Sequence, residues 1–128
     1  MIKVNKLFLF LKKNGIQFFS GVPDSVLKST KKNLEKKNKR EHIVAANEGS
    51  AIASGIGYYL STGKLPCVYM QNSGLGNAIN PLISIAHKKV YSIPILLMIG
   101  WRGAPGTQDE PQHLVKGAIT IKLLKLLN

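Results

Sequence analysis

The 128-residue chain is poor in cysteine, in arginine and in acidic side chains. Its one cysteine, Cys67, falls in an apolar run, which excludes a disulfide framework and a cysteine-based metal site. His42, His87 and His113 stand at no metal-ligand spacing, so no metal ligand is assigned. No run of about 18 uninterrupted apolar residues occurs, which argues against a membrane span. A signal-peptide layout is missing too, because Lys12, Lys13 and Asn14 cut the first apolar run short, and a cytoplasmic protein is expected. There is no Gly-x-x-x-x-Gly-Lys-Ser/Thr phosphate loop. Gly55 and Gly57 lie inside a helical pattern, where a dinucleotide fingerprint does not belong.

Six acidic residues face 18 basic ones, for a net charge of +12, which invites a nucleic-acid reading. The distribution opposes it. Seven of the basic residues fall between Lys28 and Arg40, with no aromatic side chain among them to stack on a base. Arg40 and Arg102 are the only arginines, and arginine is the usual base-reading cation. No nucleic-acid partner is expected. The lysine run reads as a solvated face, or as one that meets an acidic partner chain.

The length bounds the chain to one domain with a real core. Val4, Leu7, Phe8 and Leu11 keep one face of a first helix, which Gly15 stops. Ile16 to Phe19 reads as a strand, and Gly21–Ser25 as a turn whose Asp24 or Ser25 caps a lysine-rich helix to about Lys37. A strand over His42–Ala46 follows, then a helix opened by Asn47–Ser50 and ended by Gly63. That helix is crowded with glycine, alanine and serine, which suits close packing against a backbone or a ligand. Pro66–Met70 and Ile93–Ile99 read as further strands, with a helix from Leu75 to about His87 between them. Val115, Ala118, Ile119, Leu123 and Leu126 mark a last helix. Strands alternating with helices predict an α/β fold, an open parallel sheet with helices on both faces. No strand follows the last helix, so the sheet is expected to be C-terminally incomplete.

Two of these strands run into polar, glycine-rich loops, Asn72–Asn77 and Gly100–Gly106, which places them on the edge where open α/β sheets bind ligands. Asn72 and Ser73 are good caps for a helix starting near Leu75, whose free N–H groups suit a polar ligand. Glu48, at a strand-to-helix junction on the same edge, is either a helix-start acid or a catalytic carboxylate. Asp24 and Ser25 are either N-caps or site residues. His113, behind the loop Gln108–Gln112, is a surface histidine or a general acid or base. Arg102 either holds an anionic substrate or pairs with Asp109 or Glu110. Trp101 is expected to pack, with its N–H finding a partner.

The segments Gly21-Val22-Pro23-Asp24-Ser25, Ala45-Ala46-Asn47-Glu48-Gly49, Met70 to Asn77, Ile99-Gly100-Trp101-Arg102-Gly103 and Asp109-Glu110-Pro111-Gln112-His113 resemble, in this order, the phosphonopyruvate decarboxylases. The similarity is to the N-terminal, pyrimidine-binding domain of these thiamine diphosphate-dependent enzymes, and it covers nearly the whole chain. Asn72-Ser73-Gly74-Leu75-Gly76-Asn77 also resembles the sulfopyruvate decarboxylase α subunit. The resemblance implies that Glu48 hydrogen-bonds the N1′ nitrogen of the cofactor's aminopyrimidine and so promotes loss of the thiazolium C2 proton. It implies that Asn72, Ser73, Gly74, Leu75, Gly76 and Asn77 line the pyrimidine pocket, and that Asp24, Gln112 and His113 face the reacting centre. Ser25, Gln112 and Arg102 are expected on the substrate, Arg102 as holder of its second anionic group. The implied reaction converts 3-phosphonopyruvate to phosphonoacetaldehyde and CO₂; sulfopyruvate is the alternative substrate, and a non-catalytic remnant the alternative role. The Gly-Asp-Gly motif that holds Mg²⁺ and the diphosphate in this family occurs nowhere in the chain. A diphosphate-binding domain or subunit, and hence a homo- or hetero-oligomer, is therefore expected to complete the site.

Overall fold

The computed structural model describes residues 3–127. It contains four strands, β1 (Phe19–Gly21), β2 (His42–Val44), β3 (Cys67–Gln71) and β4 (Leu96–Gly100), and five α-helices, α1 (Val4–Lys13), α2 (Lys31–Glu35), α3 (Glu48–Thr62), α4 (Leu75–Pro81) and α5 (Pro111–Leu126). The strands form one parallel sheet in the order β2-β1-β3-β4. The open parallel sheet expected from the alternation of strands and helices is what the chain builds.

β3 is central and reads as a continuous apolar run because both of its faces are covered. Val68 and Met70 join a core with Ile52 and Ile56 of α3 and Leu75 and Ala78 of α4. Cys67 and Tyr69 point the other way, into a core with Leu11 of α1, Phe19 and Leu34 of α2. Helices thus cover both faces. The small residues of α3 serve packing: Gly49 lies against the Asn77 backbone and Gly55 against Val68. Pro81 has no N–H to give the Asn77 carbonyl, so the helical ladder is broken there and the chain continues as one π-helical turn, Leu82–Ala86.

Several boundaries differ from the sequence reading. β1 starts at Phe19 rather than Ile16, because the chain leaving Gly15 reaches its β2 and β3 neighbours only there. The lysine-rich helix begins as a 3₁₀ turn, Lys28–Thr30, and covers only Lys31–Glu35 in α form. β4 begins at Leu96, after Pro94, which cannot donate to a ladder. α5 starts earlier than expected, with Pro111 in its first turn, where a missing N–H costs nothing. Its buried face is also not the expected one. Gly117 and Thr120 are buried, whereas Val115, Ile119 and Leu126 are exposed.

Candidate functional site

The predicted site residues gather at the carboxyl ends of β1, β3 and β4 and at the start of α3. Asn47 caps α3, its Oδ1 accepting from the Ser50 N–H at 2.9 Å, and this sets Glu48 as the first helical residue. The Glu48 carboxylate therefore sits in the favourable field of the helix N-terminus. Its Oε2 accepts from Asn77 Nδ2 at 2.8 Å, which fixes one oxygen on α4. The rest of the carboxylate lies over Gly74, where any Cβ would overlap its Cγ and Oε1. Gly74 is thus a cradle for Glu48 as well as a turn residue.

Asp24 makes the corresponding contact on the other side of β3. Its Oδ2 accepts from the N–H groups of Val26 at 3.1 Å and Leu27 at 3.2 Å, so it caps the turn after β1. The same oxygen lies against Gly100 at the end of β4, where a Cβ would again collide with it. Its Oδ1 is buried without a hydrogen-bond partner, and so is Nδ1 of His113 in the first turn of α5. Buried polar atoms are rarely left unpaired. Asp24 Oδ1 and His113 Nδ1, like Ser20 Oγ in β1, are left with hydrogen-bonding capacity unused within the chain.

The remaining predicted residues divide. Asn77 is exposed and holds Glu48, and exposed Gly76 faces open space. Ser73 Oγ accepts from Gln71 at 2.6 Å. Leu75 is core. Gln112 is exposed in the first turn of α5. The expectation that Asn72 caps the following helix is overturned: α4 has no side-chain cap, and Asn72 turns inward. Its Nδ2 donates to the Arg102 carbonyl and to Thr120 Oγ1, both at 2.9 Å, while its Oδ1 accepts from Arg102 N–H at 3.2 Å. With both amide atoms used inside the protein, Asn72 fastens α5 and the β4 loop to the end of β3 instead of lining a pocket.

Arg102 is similarly engaged. Its Nε and Nη2 donate to Asp109 at 2.7 and 2.5 Å, and Nη1 reaches Ser25 Oγ at 3.3 Å. This two-point pair raises the Arg102 pKa and holds the Asp109 carboxyl well below the usual carboxylate range; amides of Gly103 and Glu110 act in the same direction on Asp109. The fork assigned to a substrate anion is therefore closed by Asp109, the alternative left open by the sequence. Trp101 does find a partner, the Gly117 carbonyl, at 3.0 Å. Two residues of this network carried no local signal: Thr120, whose hydroxyl meets Asn72, and Gly117, which is packed on the Gly103 carbonyl.

Comparison with known proteins settles the family. The model of the thiamine pyrophosphate enzyme, N-terminal TPP binding domain, matches residues 4–122. The chain belongs to this family. It is 40% identical over 112 residues to the phosphonopyruvate decarboxylase of Streptomyces viridochromogenes, covering 88% of this chain and 28% of that protein. It is also 40% identical over 112 residues to the sulfopyruvate decarboxylase subunit alpha of Methanococcus maripaludis, covering 65% of that protein. The corresponding subunit of Methanothermobacter thermautotrophicus is 31% identical and is covered to 68%. The benzoylformate decarboxylase structure from Polynucleobacter necessarius shares the fold, with a TM-score of 0.63 over 80% of this chain, at 24% identity. The chain spans under a third of the phosphonopyruvate decarboxylases it matches. Among the described residues of this TPP-binding domain, no group of three or more His, Cys, Asp or Glu stands together as a metal site, and no helix is long and apolar enough to cross a membrane.

Proposed function

We propose that the chain is the pyrimidine-binding half of a thiamine diphosphate-dependent decarboxylase that converts 3-phosphonopyruvate to phosphonoacetaldehyde and CO₂. The observation that carries this reading is the Glu48 carboxylate: one oxygen is tied to Asn77, and the group is seated on Gly74 at a helix N-terminus. Such a carboxyl, with its second oxygen left to offer, suits a ring nitrogen that must share a proton. The donor set therefore fits the cofactor's aminopyrimidine, and thiamine diphosphate would supply the electron sink for decarboxylation. Glu48 would hold the proton at the pyrimidine nitrogen, and Asn77 would keep the carboxylate from rotating away.

The unpaired Oδ1 of Asp24 and Nδ1 of His113 suit proton delivery to the carbon that loses CO₂. Ser25 and Gln112 flank them as substrate contacts. Arg102 acts on the site through Ser25 and Asp109 rather than by gripping the substrate alone. Mg²⁺ and the diphosphate belong to a partner domain or subunit, and the assembly is a cytoplasmic oligomer. The equal identity to a sulfopyruvate decarboxylase subunit alpha supports sulfopyruvate as the second candidate substrate.

The decisive assay mixes the chain with a diphosphate-binding chain, thiamine diphosphate and Mg²⁺, and follows CO₂ release from phosphonopyruvate and sulfopyruvate in parallel. Turnover that disappears in Glu48→Gln, with the complex still assembled, is expected, and the faster substrate names the reaction. A folded, assembled complex that turns over neither substrate refutes the decarboxylase reading.

A further inference from the structure

A cavity of about 390 Å³ opens on the α1/α2 face of the sheet, beneath the turn that follows β1. That volume is within the range of small-molecule sites. Leu27, Leu34 and Val44 give it an apolar wall, while His42 of β2 and Tyr69 of β3, whose side chains meet across β1, give it a polar floor. His42 Nε2 and Tyr69 Oη are 2.8 Å apart. Lys28 and Lys31 line it from the 3₁₀ turn and α2, and Asp24 and Ser25 from the side of the candidate active site.

We propose that this cavity binds a small organic anion, a phosphonate, sulfonate or carboxylate on a short carbon skeleton, with its charged group held by Tyr69, His42 and Lys28. Positive potential for such a group comes from lysines on this face. Asp24 also lines the cavity, with Oδ2 on the Val26 and Leu27 amides, Oδ1 unpaired and its charge opposed by Arg102, and Glu35 is matched by Lys31 at 3.6 Å. Lys28 has no acidic partner within ion-pair distance among the described residues, and Lys37 adds positive potential at the His42 ring. The apolar wall suits a short carbon body.

The floor is built to respond to such a charge. Burial lowers the His42 pKa, and Lys37 acts the same way, against the Leu34 carbonyl and Glu35. Burial pushes the Tyr69 phenol up to about 12, so it keeps its proton. With His42 neutral and its proton on Nδ1, Tyr69 donates to Nε2 and presents only a lone pair to the cavity. An anion favours the imidazolium, whose Nε2–H then donates to Tyr69 Oη. The phenol hydroxyl is thereby released to donate to the anion. Binding takes up a proton, and affinity rises as pH falls toward the point where His42 is already charged.

The test uses the full chain with histidine ring nitrogens labelled for NMR, and methylphosphonate and methanesulfonate as probes. A saturable shift of the His42 ring toward its protonated form is expected, with affinity about tenfold higher near pH 6 than near pH 8. Calorimetry with methanesulfonate, which stays a monoanion throughout this range, in two buffers of different ionisation enthalpy should show uptake of up to about one proton per ligand. Lys28→Ala and Tyr69→Phe should each weaken binding about tenfold or more, while circular dichroism shows the fold retained. No saturable shift in the folded chain, or a shift that survives both substitutions, overturns the proposal. Phosphonopyruvate that displaces the probe identifies the anion as the substrate's own. Simultaneous binding of both identifies a separate effector, and either result supports the site. None of these readouts depends on decarboxylase activity.

Discussion

The Glu48 carboxylate is restrained by Asn77, by the start of α3 and by the bare backbone of Gly74. Gly74→Ala must push it aside, since the new Cβ occupies the space of the carboxylate itself. A displacement on the scale of an ångström costs about 100-fold in a positioned reaction. Gly74→Ala is therefore expected to lower turnover of the assembled enzyme by about that factor; activity near wild type would show that the cradle does not position Glu48. Asp109 makes a second prediction at this scale. Its folded pKa is depressed, so its unfolded form binds protons more readily, and the stabilisation it confers is present above the ordinary value of 3.8 and lost as pH falls below it. Asp109→Asn should flatten the acid limb of a stability-versus-pH curve measured by urea unfolding; an unchanged slope would remove Asp109 from the account.

At the scale of elements, α5 is the part whose attachment is least obvious from its own residues. Most of its predicted apolar stripe faces solvent; Leu123, with Leu124, packs on the core, and the helix is further held by Asn72 to Thr120, Trp101 to the Gly117 carbonyl, and the packing of Gly117 on Gly103. Because His113 rides on this helix, its place at the site depends on those contacts. Thr120→Val keeps the shape but removes the hydroxyl that accepts from the buried Asn72. Leaving a buried amide with a missing partner costs about 1–3 kcal/mol. A lowered thermal midpoint is expected, with faster hydrogen exchange in α5 than in β3; uniform acceleration across both would mean the contact is not local to α5. The exposed Val115, Ile119 and Leu126 explain why periodicity misjudged this helix: a hydrophobic pattern marks apolar residues, whatever they end up facing.

For the whole molecule, the net charge of +12 is the dominant long-range term. Ion pairs do little to offset it. Lys31–Glu35 is an exposed i,i+4 pair, and Arg102–Asp109 serves the β4 loop. Self-repulsion in so basic a chain should be relieved by screening, whose range is about 8 Å at physiological ionic strength. The thermal midpoint is expected to rise when sodium chloride is increased from low to physiological levels. A flat or falling midpoint would place the lysines too far apart to matter.

What the sequence determined by itself was whatever is written over a few consecutive residues. Caps, breakers and apolar periods placed the helices and strands in the right order, closely for α3 between Asn47 and Gly63, loosely for α2 and β1. The same short segments, 21–25, 45–49, 70–77, 99–103 and 109–113, carried the resemblance, and with it the family and the proposal that Glu48 meets the cofactor. Only the tertiary structure decided which polar atoms meet. Asn72 and Thr120 are 48 residues apart, Arg102 and Ser25 are 77 apart, and His42 and Tyr69 are 27 apart. Whether Arg102 is free for an anion, or Asn72 for a ligand, depends on those distant partners. A side chain's local pattern sets where it can point; the partner that folding brings to it sets what it has left to offer.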